Sequence, residues 1–158
     1  MKKIAIIYYT RSGNTEEMAR LIQEGVKSEK DIEVDVRNVE DFPVDKVPDY
    51  DGLIIGSPTY YGSMAGEIKK FLDQTVKFHG QLDGKVGAAF TSAHNIGGGN
   101  ETTITDILNA LLIHGMVIQG NPNGDHYGPV SIDKPDSRVK GQCNQLGRRV
   151  AALVKKVT

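Results

Sequence analysis

The sequence predicts one α/β domain: a doubly wound, five-stranded parallel sheet in the order 2-1-3-4-5, with helices on both faces. Three observations carry this. Short, near-continuously apolar β-rich runs recur along the chain, as in strands covered on both faces. Amphipathic helical periodicities alternate with them. The length, 158 residues, suits a single domain with a sizeable core, so residues 1–158 read as one unit.

Strands are expected at residues 3–9, 33–38, 52–57, 86–91 and 116–119. A first helix over 15–28 places Met18, Ala19, Ile22 and Val26 on one face. A second over 64–76 does so with Ala65, Ile68, Phe71, Leu72 and Val76. A third over 102–113 uses Ile104, Ile107, Leu108, Leu111 and Leu112. A last helix over 136–156 repeats Val139, Cys143, Leu146, Val150 and Leu153. Residues 41–48 read as irregular, with a short helix as the weaker alternative, and Pro122, Pro129 and Pro135 break 120–135 into loops.

A formal net charge of −1 favours neither nucleic acid nor a membrane surface as partner. No apolar stretch approaches the ~20 residues of a membrane span, and residues 1–9 do not read as a signal peptide. A cytoplasmic location is the expectation. One cysteine, Cys143, excludes an intrachain disulfide, and the histidines and carboxylates show no paired metal-ligand spacing. Cys143 lies on an apolar helix face and reads as a buried structural residue.

The chemistry concentrates in three loops that a 2-1-3-4-5 sheet opens on one edge. The first is Thr10, Arg11, Ser12, Gly13, Asn14 and Thr15, between the first strand and first helix. Hydroxyls, a tight turn and a helix N-terminus together suit a phosphate. A simpler reading is a well-capped helix start. The second runs from Ser57 through Pro58, Thr59, Tyr60, Tyr61 and Gly62. Its tyrosines suit the face of a flat ring, or simply anchor a surface turn. The third is Ser92, Ala93, His94, Asn95, Ile96, Gly97, Gly98 and Gly99, either an edge of backbone donors or a flexible hinge. No G-x-x-x-x-G-K-[ST], G-x-G-x-x-G after the first strand, or G-x-S-x-G is present, which disfavours P-loop, Rossmann and hydrolase chemistry.

These loops resemble those of the flavodoxin-like superfamily, and more closely the WrbA-type FMN-dependent NAD(P)H:quinone oxidoreductases. The matching pieces are Tyr8-Tyr9-Thr10 with Gly13, Gly56-Ser57-Pro58-Thr59 followed by Tyr61-Gly62, Phe71-Leu72-Asp73-Gln74-Thr75, Gly97-Gly98-Gly99 with Glu101-Thr102-Thr103, and His114-Gly115-Met116. The resemblance implies FMN, its phosphate on residues 10–15, its ring along 58–62 and its pyrimidine edge on 92–99. It implies NADH or NADPH as donor and a quinone-like acceptor, reduced by ping-pong hydride transfer. It also assigns His114 to the flavin from a neighbouring subunit, although a histidine before Gly115 equally reads as a helix C-cap. A flavodoxin-type carrier that exchanges electrons with redox partner proteins is the alternative; a scaffold without FMN is the third. The chain departs from the oxidoreductases in carrying Phe78 and His79 where a tryptophan is usual, and in short segments at 39–48 and 120–133. Those departures leave a homodimer or tetramer open.

Overall fold

A computed structural model describes residues 1–158. The order is β1 Lys2–Tyr8, α1 Asn14–Lys27, β2 Ile32–Asn38, a 3-10 helix Val44–Asp49, β3 Gly52–Tyr60, β4 Ser63–Met64, α2 Gly66–Gln74, a 3-10 turn Thr75–Phe78, β5 Val86–Ala93, α3 Asn100–Ile113, β6 Val117–Ile118, β7 Val130–Ile132 and α4 Ser137–Val157. The main sheet is parallel in the order β2-β1-β3-β5-β6, the predicted 2-1-3-4-5 with the hairpin strand β4 counted in.

Alternation along the strands builds two cores. Ala5, Ile7, Leu53, Ile55 and Ala89 face Ile68, Phe71, Ile104 and Leu111 of α2 and α3. Ile4, Ile6, Ile54, Val86, Ala88 and Phe90 face Met18, Ile22, Val139, Cys143 and Val154 of α1 and α4. Strands buried on both sides have no polar face, hence their continuous apolar runs. Helices α1 and α4 touch backbone to backbone. A Cβ on Gly25 would lie 2.1 Å from the Asn144 carbonyl oxygen, and one on Gly147 would lie 2.2 Å from that of Ile22. Cys143 is fully buried there, and burial pushes its thiol up to about 12, as a structural cysteine requires.

Three expectations are corrected, and between the second and third strands the short-helix alternative is the one observed. Residues 58–60 are not loop: β3 continues to Tyr60 and folds back on β4, pairing Thr59 with Met64 and Tyr60 with Ser63. The helix expected at 64–76 therefore starts at Gly66, and the chain tightens to a 3-10 turn after Gln74. Residues 41–48 contain the 3-10 helix Val44–Asp49. The fifth strand is split. β6 pairs with the start of β5, while β7, inside the segment read as loop, pairs with its end through Thr91↔Val130, Ser92↔Ser131 and Ala93↔Ile132. Three residues flanked by Pro129 and Pro135 are too short to announce a strand, and the register of β5 supplies what local sequence does not.

Candidate functional site

At the carboxyl edge of the sheet, a solvent-open cleft of about 500 Å³ is lined by Thr10, Arg11, Ser12, Asn14, Thr15, Pro58, Thr59, Tyr60, Ser92, Ala93, His94 and Asp133. All but Asp133 are residues that the sequence singles out. The first and third loops meet directly: the Thr15 and Ser92 hydroxyls, both buried, share a 2.8 Å hydrogen bond. Thr59 and Thr91 are joined in the same way, also at 2.8 Å.

The first loop does not spend its hydroxyls on capping. The N-cap of α1 is Gly13, in the left-handed region at φ +99°, and no side chain caps the helix. Thr10 Oγ1 accepts from the Gly13 amide at 2.9 Å. The amides of Arg11, Ser12, Asn14, Thr15 and Glu16 find no acceptor within the chain. Uncommitted amides, short hydroxyls and the positive end of α1 are the groups an anion cradle requires, and Arg11 is the one lysine or arginine on the lining. The simpler reading as a capped helix start therefore fails.

The second loop is a two-residue hairpin turn. Tyr61 and Gly62 both have positive φ, +49° and +82°, as a type I′ turn requires. A tyrosine rarely holds that conformation, and the fold pins it from outside. The Gly62 carbonyl accepts from Thr102 Oγ1 at 2.6 Å, and the Ser63 hydroxyl donates to the Asp106 carboxylate at 2.6 Å. The Tyr61 ring is left fully exposed, while the Tyr60 hydroxyl is buried without a partner in the chain. Beside it, burial and then the Glu67 carboxylate hold the Tyr9 phenol above its ordinary value.

The third loop divides. Ser92 and Ala93 belong to β5 and line the cleft with His94. Asn95, Gly97, Gly98 and Gly99 do not line it. Gly99, at φ +103°, is the N-cap of α3, and a Cβ there would lie 2.3 Å from Gly62 Cα. This glycine packs the hairpin against the start of α3. That role depends on a contact 37 positions away in sequence, hence invisible to a motif.

His114 lies elsewhere in the chain. It is the C-cap of α3, roughly 20 Å of helix rise from that helix's start at the cleft edge. Gly115 follows at φ +78°. The Gly115 amide bonds the Leu112 carbonyl and the Met116 amide bonds that of Leu111, a Schellman end. The ring is buried, with Nε2 at 2.8 Å from the Thr75 hydroxyl, and burial together with His79 holds it below its ordinary value. The C-cap reading describes its place in this chain.

Asp133 is the lining residue that sequence reasoning misses. It follows β7 at φ +55°, donates its amide to the Ala93 carbonyl at 2.8 Å, and sets Oδ1 2.8 Å from His94 Nδ1. No helix of the structure is long and apolar enough to cross a membrane.

Comparison with known proteins agrees with this fold. A flavodoxin-domain family model matches residues 5–104. A flavodoxin of Clostridium saccharobutylicum is 36% identical, covering 98% of this chain and 99% of its own. One of Aquifex aeolicus is 38% identical, covering 98% and 88%. Among solved structures, a flavodoxin from the domain Archaea superposes with a TM-score of 0.81 at 29% identity, covering 97% of this chain and 99% of its own. A flavodoxin, WrbA-like protein from Agrobacterium tumefaciens, covered in full on both sides, shares the fold with a TM-score of 0.84 at 21% identity. The chain belongs to the flavodoxin family.

Proposed function

We propose that this chain binds FMN and carries electrons between redox partner proteins. The observation that carries the cofactor reading is the cradle at residues 10–15, where the amides of Arg11, Ser12, Asn14 and Thr15 and the Ser12 hydroxyl are left uncommitted at a helix N-terminus. These residues fit a phosphate monoester without a lysine. Bound FMN would supply one- and two-electron redox chemistry. The chain's own residues would do the rest: Thr10, Ser12 and Thr15 would hold the phosphate, and Pro58 to Tyr60, which line the cleft, would flank the ring, on a hairpin that Thr102 fixes.

The carrier reading replaces an NAD(P)H:quinone oxidoreductase as the leading one. Relatives that span the whole chain at 36% and 38% identity are named flavodoxin, whereas the WrbA-like structure, at 21%, speaks to fold alone.

Anaerobic mixing of the FMN-loaded protein with NADH and NADPH tests the choice. A carrier leaves the flavin absorbance unchanged for minutes while dithionite bleaches it at once. Rapid bleaching by either nucleotide supports the oxidoreductase instead.

A further inference from the structure

The split fifth strand brings two residues of the cleft together that no sequence pattern links. Parallel pairing of Ala93 with Ile132 sets the next residues, His94 and Asp133, side by side. Asp133 is fixed there twice by its backbone: its amide bonds the Ala93 carbonyl at 2.8 Å, and its own carbonyl accepts from Ser131 Oγ at 2.9 Å. The left-handed backbone at φ +55° then turns the carboxylate onto His94 Nδ1 at 2.8 Å. Both side chains line the cleft, and both are exposed at its mouth. An exposed pair of this kind adds little to folding stability, so its consequence is orientation.

We propose that Asp133 is a positioning residue that fixes the tautomer and the orientation of His94, and that His94 Nε2 is a hydrogen-bonding contact for the flavin bound in this cleft. The step from carboxylate to ring is a matter of donors and acceptors. An ionised carboxylate only accepts, so Nδ1 carries the proton. Nε2, which makes no bond within the chain, is then the acceptor of the neutral ring. Its match on a flavin is a hydrogen-bond donor: a ribityl hydroxyl or the pyrimidine N–H. The bond to Thr15 places Ser92, two residues before His94, against the phosphate loop, so this contact belongs to the same ligand as the cradle. The proposal rests on the FMN reading for its ligand, and on the His94–Asp133 geometry alone for the tautomer.

Two readouts separate those parts. The first uses the protein without flavin. Long-range ¹H–¹⁵N spectra at neutral pH give the tautomer of His94. In the native chain the Nδ1–H form dominates. In Asp133→Gly, which keeps the positive φ and removes the carboxylate, the Nε2–H form rises to a comparable share. An unchanged tautomer in Asp133→Gly overturns the positioning role, whether or not flavin binds. The second is a double-mutant cycle on FMN dissociation constants, read by flavin fluorescence. His94→Gln and Asp133→Gly each weaken binding about five- to tenfold, and the double variant is no weaker than about tenfold, because both remove one contact. A double variant at the product of the singles, or singles equal to native, overturns it. Repeating the cycle with lumiflavin, which lacks the ribityl chain, locates the donor: an effect that disappears assigns the ribityl hydroxyls, and one that persists assigns the ring N–H. If the native protein binds no FMN, the cofactor reading falls while the tautomer result still stands or fails by itself.

Discussion

Replacing Gly99 with alanine isolates the contact that seats the Tyr61-Gly62 hairpin on the start of α3. Gly99 holds φ +103°, where an L-residue is strained, by about 1–2 kcal/mol. Its new Cβ would also lie 2.3 Å from Gly62 Cα and 3.0 Å from the Gly62 carbonyl carbon, both backbone atoms of a turn that cannot rotate aside. Overpacking of this kind adds about 1–3 kcal/mol. The expected loss is therefore about 2–5 kcal/mol in a urea titration with an unchanged m-value. Gly97→Ala is the control. It has φ +69° with nothing within 4 Å of the added Cβ, so it carries the conformational part alone. The difference between the variants, about 1–3 kcal/mol, measures the contact. FMN affinity falls further in Gly99→Ala than in Gly97→Ala, because the tip that carries Tyr61 is displaced. Agreement of the two variants within about 0.5 kcal/mol, the range of an uneventful surface change, would falsify this account of Gly99.

Three further outcomes follow from the packing and the buried groups. Gly25→Ala destabilises despite alanine's better helix propensity: about 1 kcal/mol of propensity opposes a Cβ placed 2.1 Å from the Asn144 carbonyl oxygen, and separating α1 from α4 leaves a net loss of about 1–3 kcal/mol in thermal or urea unfolding. A gain in stability would refute the close approach. For His114, burial first and His79 second lower the folded-state value below the ordinary 6.5. Between those two values the unfolded chain binds more protons, so this group's contribution to stability rises with pH and is lost as pH falls below about 6.5. Urea midpoints at pH 5 and 7.5 should differ less in His114→Asn than in the native protein; an equal difference would count against the buried neutral ring. Cys143, fully buried with its thiol pushed up to about 12, should react with a disulfide reagent only as fast as the fold opens, and mild urea should accelerate labelling steeply. Prompt stoichiometric labelling of the native protein would contradict its burial.

The architecture was legible because a parallel sheet covered on both faces writes itself as apolar runs: 4–8, 53–55 and 86–90 need no context to read. The last helix was legible at its start too, where Asp136 accepts from the Val139 amide as an N-cap. Three features were not. Strand β7 exists through pairing with β5, a partner about 40 residues away, and so does the placement of Asp133 in the cleft. The run Gly97-Gly98-Gly99 suggests backbone donors to a ligand, yet one of its glycines is there to let Gly62 approach. Tyr61 at φ +49° breaks the local preference of its residue type, and a bond from Thr102 to the Gly62 carbonyl and one from Ser63 to the Asp106 carboxylate hold the turn in place. In each case the deciding contact is long-range, and local sequence records only the residue that satisfies it. The C-cap place of His114 was legible as well, because Gly115 beside it already marked a helix end.

The claim that residues 10–15 form a phosphate cradle is tested most directly by titrating the flavin-free protein with FMN and with riboflavin under identical conditions. The two differ only by the phosphate. The account predicts that FMN binds at least about a hundredfold more tightly, a difference of ~2.7 kcal/mol, and that Thr15→Val narrows the gap. Equal affinity for the two flavins would contradict it.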